Sequence, residues 1–156
     1  MSILNQKTLS KKISFQGIGV HTGKNSKINI YPAKPNTGII FKRIDLKENN
    51  IIYPNYSNVT DTTLCTTISN QYGVKVSTIE HLMGAFYGIG LDNAIVEIDT
   101  QEVPILDGSA KNFVEKILMA DFVASNKPIK IIKINNKVEF KDGERSISIE
   151  PSKLSL

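Results

Sequence analysis

Glu80 and His81 stand side by side in the stretch "VSTIEHLMGAFYGIGLDNAIVEI", residues 76–98, and are the residues best suited to chemistry. A carboxylate can take up a proton as a general base, and a neutral imidazole is a common metal ligand. The stretch has the pattern of an amphipathic helix that begins near Ser77, so the pair is predicted to lie in its first turn. A rigid first turn fixes the separation of the two side chains, as one shared site requires.

Glu80 also has a purely structural interpretation. Ser77 followed three residues later by Glu80 fits the capping box, in which each side chain accepts a hydrogen bond from the other residue's backbone amide. A carboxylate in the first turn also stays ionised near the positive end of the helix, which suits catalysis. The local pattern favours the cap and is compatible with both roles.

For His81, a surface or lightly packed ring is the common outcome when no second histidine is near. The direction of its side chain favours a functional role for His81. It points about 200° away from Ile79, which lies on the predicted core side of the helix. The core side is predicted from the spacing of Ile79, Leu82, Met83 and Phe86. The direction of His81 is close to that of the small residues Gly84, Ala85 and Gly88. Small residues leave room for a ligand to approach the helix beside the imidazole.

The other candidates are weaker. His21 lies in the glycine-rich loop "GIGVHTGKNS", where a surface residue is more common than a functional one. Asp107 in "ILDGS" is predicted to be a turn residue before Gly108 rather than a metal ligand. Cys65 lies in an apolar run and is predicted to be a buried, inert thiol. Two histidines and one cysteine exclude a three-histidine zinc site, a multi-cysteine metal cluster and an internal disulfide.

The elements that position these residues follow from hydrophobic periodicity. Residues 7–60 are predicted to be mostly strands, and "LCTTI" with "GVKVS" a hairpin that leads into the helix. After the helix come the strand "AIVEI", the extended link "EVPILDGS" and a second helix capped by Ser109. The second helix is predicted from the spacing of Phe113, Val114, Ile117, Leu118 and Phe122.

The pattern changes after Ser125. A short polar segment with a proline is followed by strand-like "IKIIKI" and by "KVEFK" and "RSISIE", joined by the turn "DGE". About thirty residues are too few to bury a core of their own. We therefore predict a domain over residues 1–125, and a linker with the first strands of an incomplete second domain over residues 126–156.

Composition narrows the class of protein. The 156 residues carry a net charge of +4, and the basic residues are scattered along the chain. The net charge is the only feature that favours a small basic nucleic-acid-binding protein, so we expect no nucleic-acid partner. No segment is apolar enough for a membrane span and no cleavable leader is visible, so we expect a cytoplasmic protein.

Several motifs together resemble one family. "STIEHLMGAFYGIGLDNAIVEI" and "EVPILDGSA", with "GIGVHTG" and "TTLCT" upstream, resemble the N-terminal half of the UDP-3-O-acyl-N-acetylglucosamine deacetylases, the zinc enzymes of lipid A synthesis in Gram-negative bacteria. The resemblance runs in order along nearly the whole chain, which is far more specific than any single motif. It implies an α+β fold: a two-layer α/β sandwich, in which a β-sheet packs with two helices, followed by the opening strands of a second similar domain.

The resemblance also implies roles for particular residues. The reaction removes acetyl from the UDP-linked acylated sugar with the help of Zn2+. His81 aligns with the family's first zinc ligand, and Glu80 with the carboxylate that activates water. Leu64 and Cys65 align with residues that line the substrate passage, and His21 falls in a motif near the site.

The chain departs from the family pattern at one point. The family's other zinc ligands, a His and an Asp one helical turn apart, and a later histidine that acts as general acid belong to the second domain, and none is present after Ser125. The expected form is a truncated or split enzyme that is inactive by itself and has the second domain, or a separate chain supplying it, as its partner. The alternative is a non-catalytic remnant or a binding module that retains only the first domain.

Overall fold

The computed structural model describes residues 4–152 and has an α+β fold. The strands are β1 (Asn5–Leu9), β2 (Ile13–Ile18), β3 (Asn25–Pro32), β4 (Ile39–Arg43), β5 (Ile51–Ile52), β6 (Val59–Asp61), β7 (Thr67–Ser69), β8 (Lys75–Val76), β9 (Ala94–Ile98), β10 (Phe122–Pro128), β11 (Val138–Asp142) and β12 (Arg145–Ile149). The helices are α1 (Glu80–Ile89) and α2 (Lys111–Leu118), with a 3-10 turn at Tyr56–Asn58. This architecture confirms the predicted fold class.

The main sheet has the strand order β2-β3-β9-β4-β5, and only β4 and β9 run parallel. The register pairs Ile28 with Ile98 and Ile30 with Val96, and all four side chains are buried. Because side chains on neighbouring strands share a face when they are paired, one face of the sheet becomes a continuous apolar surface. That surface forms the core onto which the helices pack.

The two helices complete this core. Leu82 and Phe86 of α1 are buried, as are Phe113 and Ile117 of α2, which agrees with most of the predicted core faces, whereas Leu118 is exposed. The Phe113 ring lies 5.0 Å from the Phe15 ring of β2, centroid to centroid. Helices and main sheet therefore share one core, and α1 is held rigidly against it.

The described residues form three further, smaller sheets. The sheet β6-β7-β8 carries the chain into α1, as the predicted hairpin requires. Strands β1 and β10 pair with each other, and β11 with β12 form the predicted hairpin, with Gly143 at a φ of 58° in its turn.

Two predictions about the C-terminal part were wrong. The second helix ends at Leu118, so Phe122 lies in β10 and not in the helix, and "IKIIKI" contains no strand. The reason is the pairing of β10 with β1, which gives residues 122–128 hydrogen-bond partners far away in the sequence. Strand β10 crosses residue 125, where the domain boundary was expected, and that boundary stays a prediction.

Neither α1 nor α2 has the length and apolar character needed to cross a bilayer, and residues 4–152 contain no other helix that does.

Candidate functional site

The first turn of α1 is positioned by an unusual backbone. Thr78 has a φ of 57°, a conformation that β-branched residues rarely adopt, and α1 begins two residues later at Glu80. Ser77 forms a parallel bridge with Glu102, in which the Ser77 amide donates to the Gln101 carbonyl at 2.9 Å. This bridge fixes the point at which the chain turns into the helix.

The predicted capping box is absent. The Ser77 hydroxyl donates to the Gln101 carbonyl at 3.1 Å, and no side chain caps the amino end of α1. The bridge to residues 101–103 takes both the Ser77 amide and its hydroxyl, so Glu80 has no capping partner there. The carboxylate of Glu80 is therefore not explained by the cap that the local pattern favoured.

Glu80 instead holds the loop before β7. Its Oε2 accepts a hydrogen bond from the Thr66 amide at 3.0 Å, and the Ile79 amide donates to the Thr66 carbonyl at 3.4 Å. These two bonds dock residues 64–66 against the first turn of α1. The half-buried carboxylate keeps its second oxygen, Oε1, without a hydrogen-bond partner among residues 4–152.

The docked loop contains Leu64 and Cys65, and their place in the substrate passage, which the resemblance implied, stays a prediction. The side chain of Leu64 is 81% exposed, which leaves an apolar group in solvent two residues before Thr66. Cys65 is only half-buried, with its Sγ 3.7 Å from the Thr67 Oγ1, so the expectation of a fully buried thiol was wrong. The exposed apolar surface results from the short docking segment, which lies at the edge of the core.

His81 is free to act as a ligand. Its ring is half-buried, and no group within residues 4–152 hydrogen-bonds it. Gly84 and Gly88 are exposed, and a Cβ added at either would contact nothing within 4 Å, so this side of α1 is open. Ala85 was placed on the same side but is buried in the core, because at 100° per residue it lies only about 60° from the direction of Leu82.

His21 approaches the same region through its backbone. The loop that contains it is closed by a hydrogen bond from the Gly23 amide to the Gly19 carbonyl at 2.9 Å. The His21 amide donates to Glu102 Oε1 at 2.9 Å, and its side chain is exposed. The same Oε1 accepts from the Thr78 hydroxyl at 3.0 Å, so one carboxylate connects His21 with the residue before α1.

Glu102 was missed by the sequence analysis. Its side chain is fully buried, and it lies in the segment that was predicted only as an extended link. Burial raises the pKa of Glu102, but the hydrogen bonds from Thr22, His21 and Thr78 outweigh burial, so the pKa lies below its ordinary value. Nothing in the local pattern distinguishes this glutamate from a surface one, since the donors come from distant segments.

Asp107 is a turn residue, as predicted. Its Oδ1 accepts hydrogen bonds from the Ser109 amide at 3.1 Å and the Ser109 hydroxyl at 2.9 Å. These bonds lower the pKa of the Asp107 carboxyl. The Ser109 hydroxyl in turn accepts from the Lys111 amide at 3.1 Å, although the residue at the cap position is Ala110.

The donor set suits part of a metal site. His81 presents a free imidazole, and Glu80 lies beside it with one oxygen available. Within residues 4–152, no three His, Cys, Asp or Glu side chains are grouped so that they could hold a metal ion. The arrangement therefore offers one imidazole and one carboxylate oxygen on an open helix face.

Comparison with known proteins identifies the class to which this fold and site belong. The family model for LpxC, UDP-3-O-acyl N-acetylglycosamine deacetylase, matches residues 6–156. Since the match covers nearly the whole chain, the chain belongs to this family.

Individual relatives support the same grouping. The chain is 46% identical over 149 residues to the UDP-3-O-acyl-N-acetylglucosamine deacetylase of Teredinibacter turnerae, 44% to that of Saccharophagus degradans and 38% to that of Haemophilus influenzae. Each match covers 96% of this chain and 49% of the relative. The chain therefore spans about half the length of the curated relatives it matches.

Proposed function

We propose that this chain forms the first half of a zinc-dependent deacetylase that removes the N-acetyl group of UDP-3-O-acyl-N-acetylglucosamine, releasing acetate and a free amine for lipid A synthesis in the cytoplasm of a Gram-negative bacterium. The observation that carries the proposal is the adjacent Glu80 and His81 on the open side of α1, in a chain of the deacetylase family. The half-length match makes a second half, in the same polypeptide or a separate chain, the partner required for activity.

Each proposed role follows from an atom that the structure leaves available. The free imidazole of His81 is the zinc ligand, and the ion, when bound, supplies Lewis-acid polarisation of the substrate amide. Glu80 takes the proton of the attacking water at Oε1, while its Oε2 stays bonded to the Thr66 amide. That bond fixes the carboxylate in one orientation, which general-base catalysis requires.

The substrate is held by the docked loop and by the helix face. Leu64 offers exposed apolar surface in the loop that Thr66 bonds to Glu80, which suits the acyl chain, with Cys65 next to it in sequence. The loop containing His21 is bonded to Glu102, and we expect this loop to form a second wall of the substrate-binding site. The open face at Gly84 and Gly88 allows the second half of the enzyme to approach closely.

A direct assay tests this function. The natural polypeptide at its full length is incubated with the UDP-linked acylated sugar, and acetate release is measured with and without a zinc chelator. We expect zinc-dependent release that falls by about 10²- to 10⁴-fold in Glu80→Gln, because the amide has no basic oxygen while it can still accept from Thr66. Unchanged turnover in Glu80→Gln would remove Glu80 from this role.

A non-catalytic binding module is the second candidate. It is favoured by the lack of a three-ligand metal group within residues 4–152. This candidate predicts that the natural polypeptide binds the UDP-linked sugar but releases no acetate at any zinc concentration. The same assay, combined with a binding titration, therefore separates the two.

A further inference from the structure

Glu102 connects two segments that the proposed function uses separately. Its Oε1 accepts from the His21 amide and the Thr78 hydroxyl, and its Oε2 accepts from the Thr22 amide at 2.8 Å. His21 and Thr22 belong to the loop between β2 and β3, whereas Thr78 precedes Glu80 by two residues. A single side chain thus joins the loop to the entrance of α1.

The loop is built to fit this carboxylate. A Cβ at Gly19 would collide with the Glu102 Oε2, so only glycine allows the loop to close over it. The backbone of Glu102 is also held in place, because its carbonyl accepts from the buried Ser26 hydroxyl at 2.6 Å. The position of the carboxylate is therefore set by β3 and by the bridge to Ser77, independently of the loop.

The Glu102 carboxylate carries a cost of burial that is unusual for a purely structural contact. Glu102 is fully buried, and no Lys, Arg or His within the described range forms an ion pair with it. Burying a charge is costly unless hydrogen bonds compensate for the lost hydration. Here the compensation comes only from neutral donors, and those donors belong to the two segments that meet at the site.

Thr78 needs such an external restraint. Its positive φ is unfavourable for a β-branched residue and persists only where the surroundings enforce it. The bond from its hydroxyl to Glu102 is one such restraint, and the bridge at Ser77 is the other. Releasing Thr78 would allow the first turn of α1, with Glu80 and His81, to shift.

We propose that Glu102 is a positioning residue, whose buried carboxylate holds the loop at His21 and Thr22 and the strained Thr78 in one arrangement and so places His21 relative to Glu80 and His81. The effect on turnover rests on the proposed deacetylase function. The structural link itself does not, so the two are tested by different readouts.

The main test uses Glu102→Gln in the natural polypeptide at its full length. The amide can still accept from His21 and Thr78 at its oxygen, but its NH2 group then faces the Thr22 amide, donor against donor. We expect hydrogen exchange at the Thr22 amide to accelerate on the order of tenfold or more, while the amides of β3 keep their rates. A displaced site should lower kcat by roughly tenfold to a hundredfold, with KM and zinc content changed less than about twofold.

Asp99→Asn is the matched control. Asp99 lies three residues away, and its Oδ1 accepts from the Lys27 amide at 2.8 Å, so the variant makes the same chemical change outside the loop. We expect its kcat and its Thr22 exchange to match those of the natural chain.

If Glu102→Gln does not fold, Thr78→Val removes only the hydroxyl bond and keeps the β-branched shape. We expect it to lower kcat, and Thr78→Ser, which restores the hydroxyl, to recover turnover relative to the valine variant. Equal kcat in the two variants would overturn the positioning role.

The outcomes separate this inference from the proposed function. Unchanged Thr22 exchange in Glu102→Gln overturns the link itself, whatever the activity. Altered exchange with unchanged kcat overturns its role in positioning the site, while the deacetylase function stands. If the natural polypeptide has no deacetylase activity, the proposed function and the expected effect on turnover are both wrong. The exchange rates then show whether Glu102 links the two segments.

Discussion

The side chains of Glu80 and His81 are held in different ways. Glu80 is fixed by the Thr66 amide, whereas the His81 ring has no hydrogen-bond partner within residues 4–152. A histidine that ligates a metal commonly has a hydrogen bond to its other ring nitrogen, which fixes its orientation. We therefore expect this second bond to come from a group outside the described residues.

Replacing His81 by Ala is expected to remove zinc without unfolding the protein. The ring is half-buried and makes no hydrogen bond, so the change in the free energy of unfolding should stay within about 0.5 kcal/mol. Metal analysis and thermal unfolding of the metal-free protein measure the two effects. A large loss of stability with zinc binding intact would show that the assignment is wrong.

The buried carboxylate of Glu102 makes stability depend on pH. Its folded pKa lies below the ordinary value of 4.5, so the folded state binds fewer protons than the unfolded state. The stability that this group contributes is therefore fully present above about pH 4.5 and is lost as the pH falls through the folded pKa. Urea unfolding from pH 7 down to pH 3 should show a steeper decline for the natural chain than for Glu102→Gln. Parallel curves for the two proteins would contradict this.

Single residues were only partly predictable from the sequence. The helical period predicts that Glu80 and His81 lie in the first turn of α1, whereas their proposed roles rest on the family resemblance. The absence of the capping box was not predictable, since it depends on the bridge between Ser77 and Glu102, residues that are 25 positions apart in the chain. Glu102 was missed for the same reason: all the donors to its carboxylate are distant in sequence.

Helix α1 combines a packed face with an open one. Leu82, Ala85 and Phe86 are buried, whereas Gly84 and Gly88 face open space. Glycine in a helix interior is destabilising, so the open side is maintained at a cost to the helix. This cost is understandable if another part of the enzyme must approach there.

Gly84→Ala should stabilise the chain by about 0.5 to 1 kcal/mol, because alanine has the higher helix propensity and its Cβ meets nothing within 4 Å. Gly90→Ala is the matched control with the opposite expectation. Gly90 ends α1 at a φ of 69°, where a Cβ is strained, so this variant should be destabilised. Chemical denaturation of both variants provides the measurement, and destabilisation by Gly84→Ala would refute the open face.

The elements were predictable where the hydrophobic period is strong. Both helices and strand β9 follow their patterns, and the hairpin of β11 and β12 follows from its turn residues. Strand β10 was not predicted, because "VASNKP" is polar and its strand conformation comes from pairing with β1 at the other end of the chain. Tertiary pairing overrides local preference in such segments.

Across the whole molecule, the hairpin of β11 and β12 is the part with the least support. Val138 pairs with Ile149 and Phe140 with Ile147, so one face of the hairpin is apolar, and all four side chains are exposed. A two-stranded hairpin without a covering layer is marginal in water. If the chain acts with the second half that the proposed function requires, we expect that half to cover this face.

Hydrogen exchange can test this proposal. In the chain alone, amides of residues 138–149 should exchange far faster than those of β9, because every residue of β11 and β12 is exposed. Adding the second half should protect the hairpin and leave β9 unchanged. Equal protection of the hairpin and β9 in the chain alone would show that the hairpin needs no partner.

The central claim is that Glu80 and His81 form part of a zinc site whose remaining ligands lie outside the described residues. Its most direct test is to measure bound zinc and acetate release for the 156-residue chain alone, and again with the family's second half supplied. We expect neither stoichiometric zinc nor acetate release for the chain alone, and both for the combined protein. One tightly bound zinc and acetate release by the chain alone would contradict it.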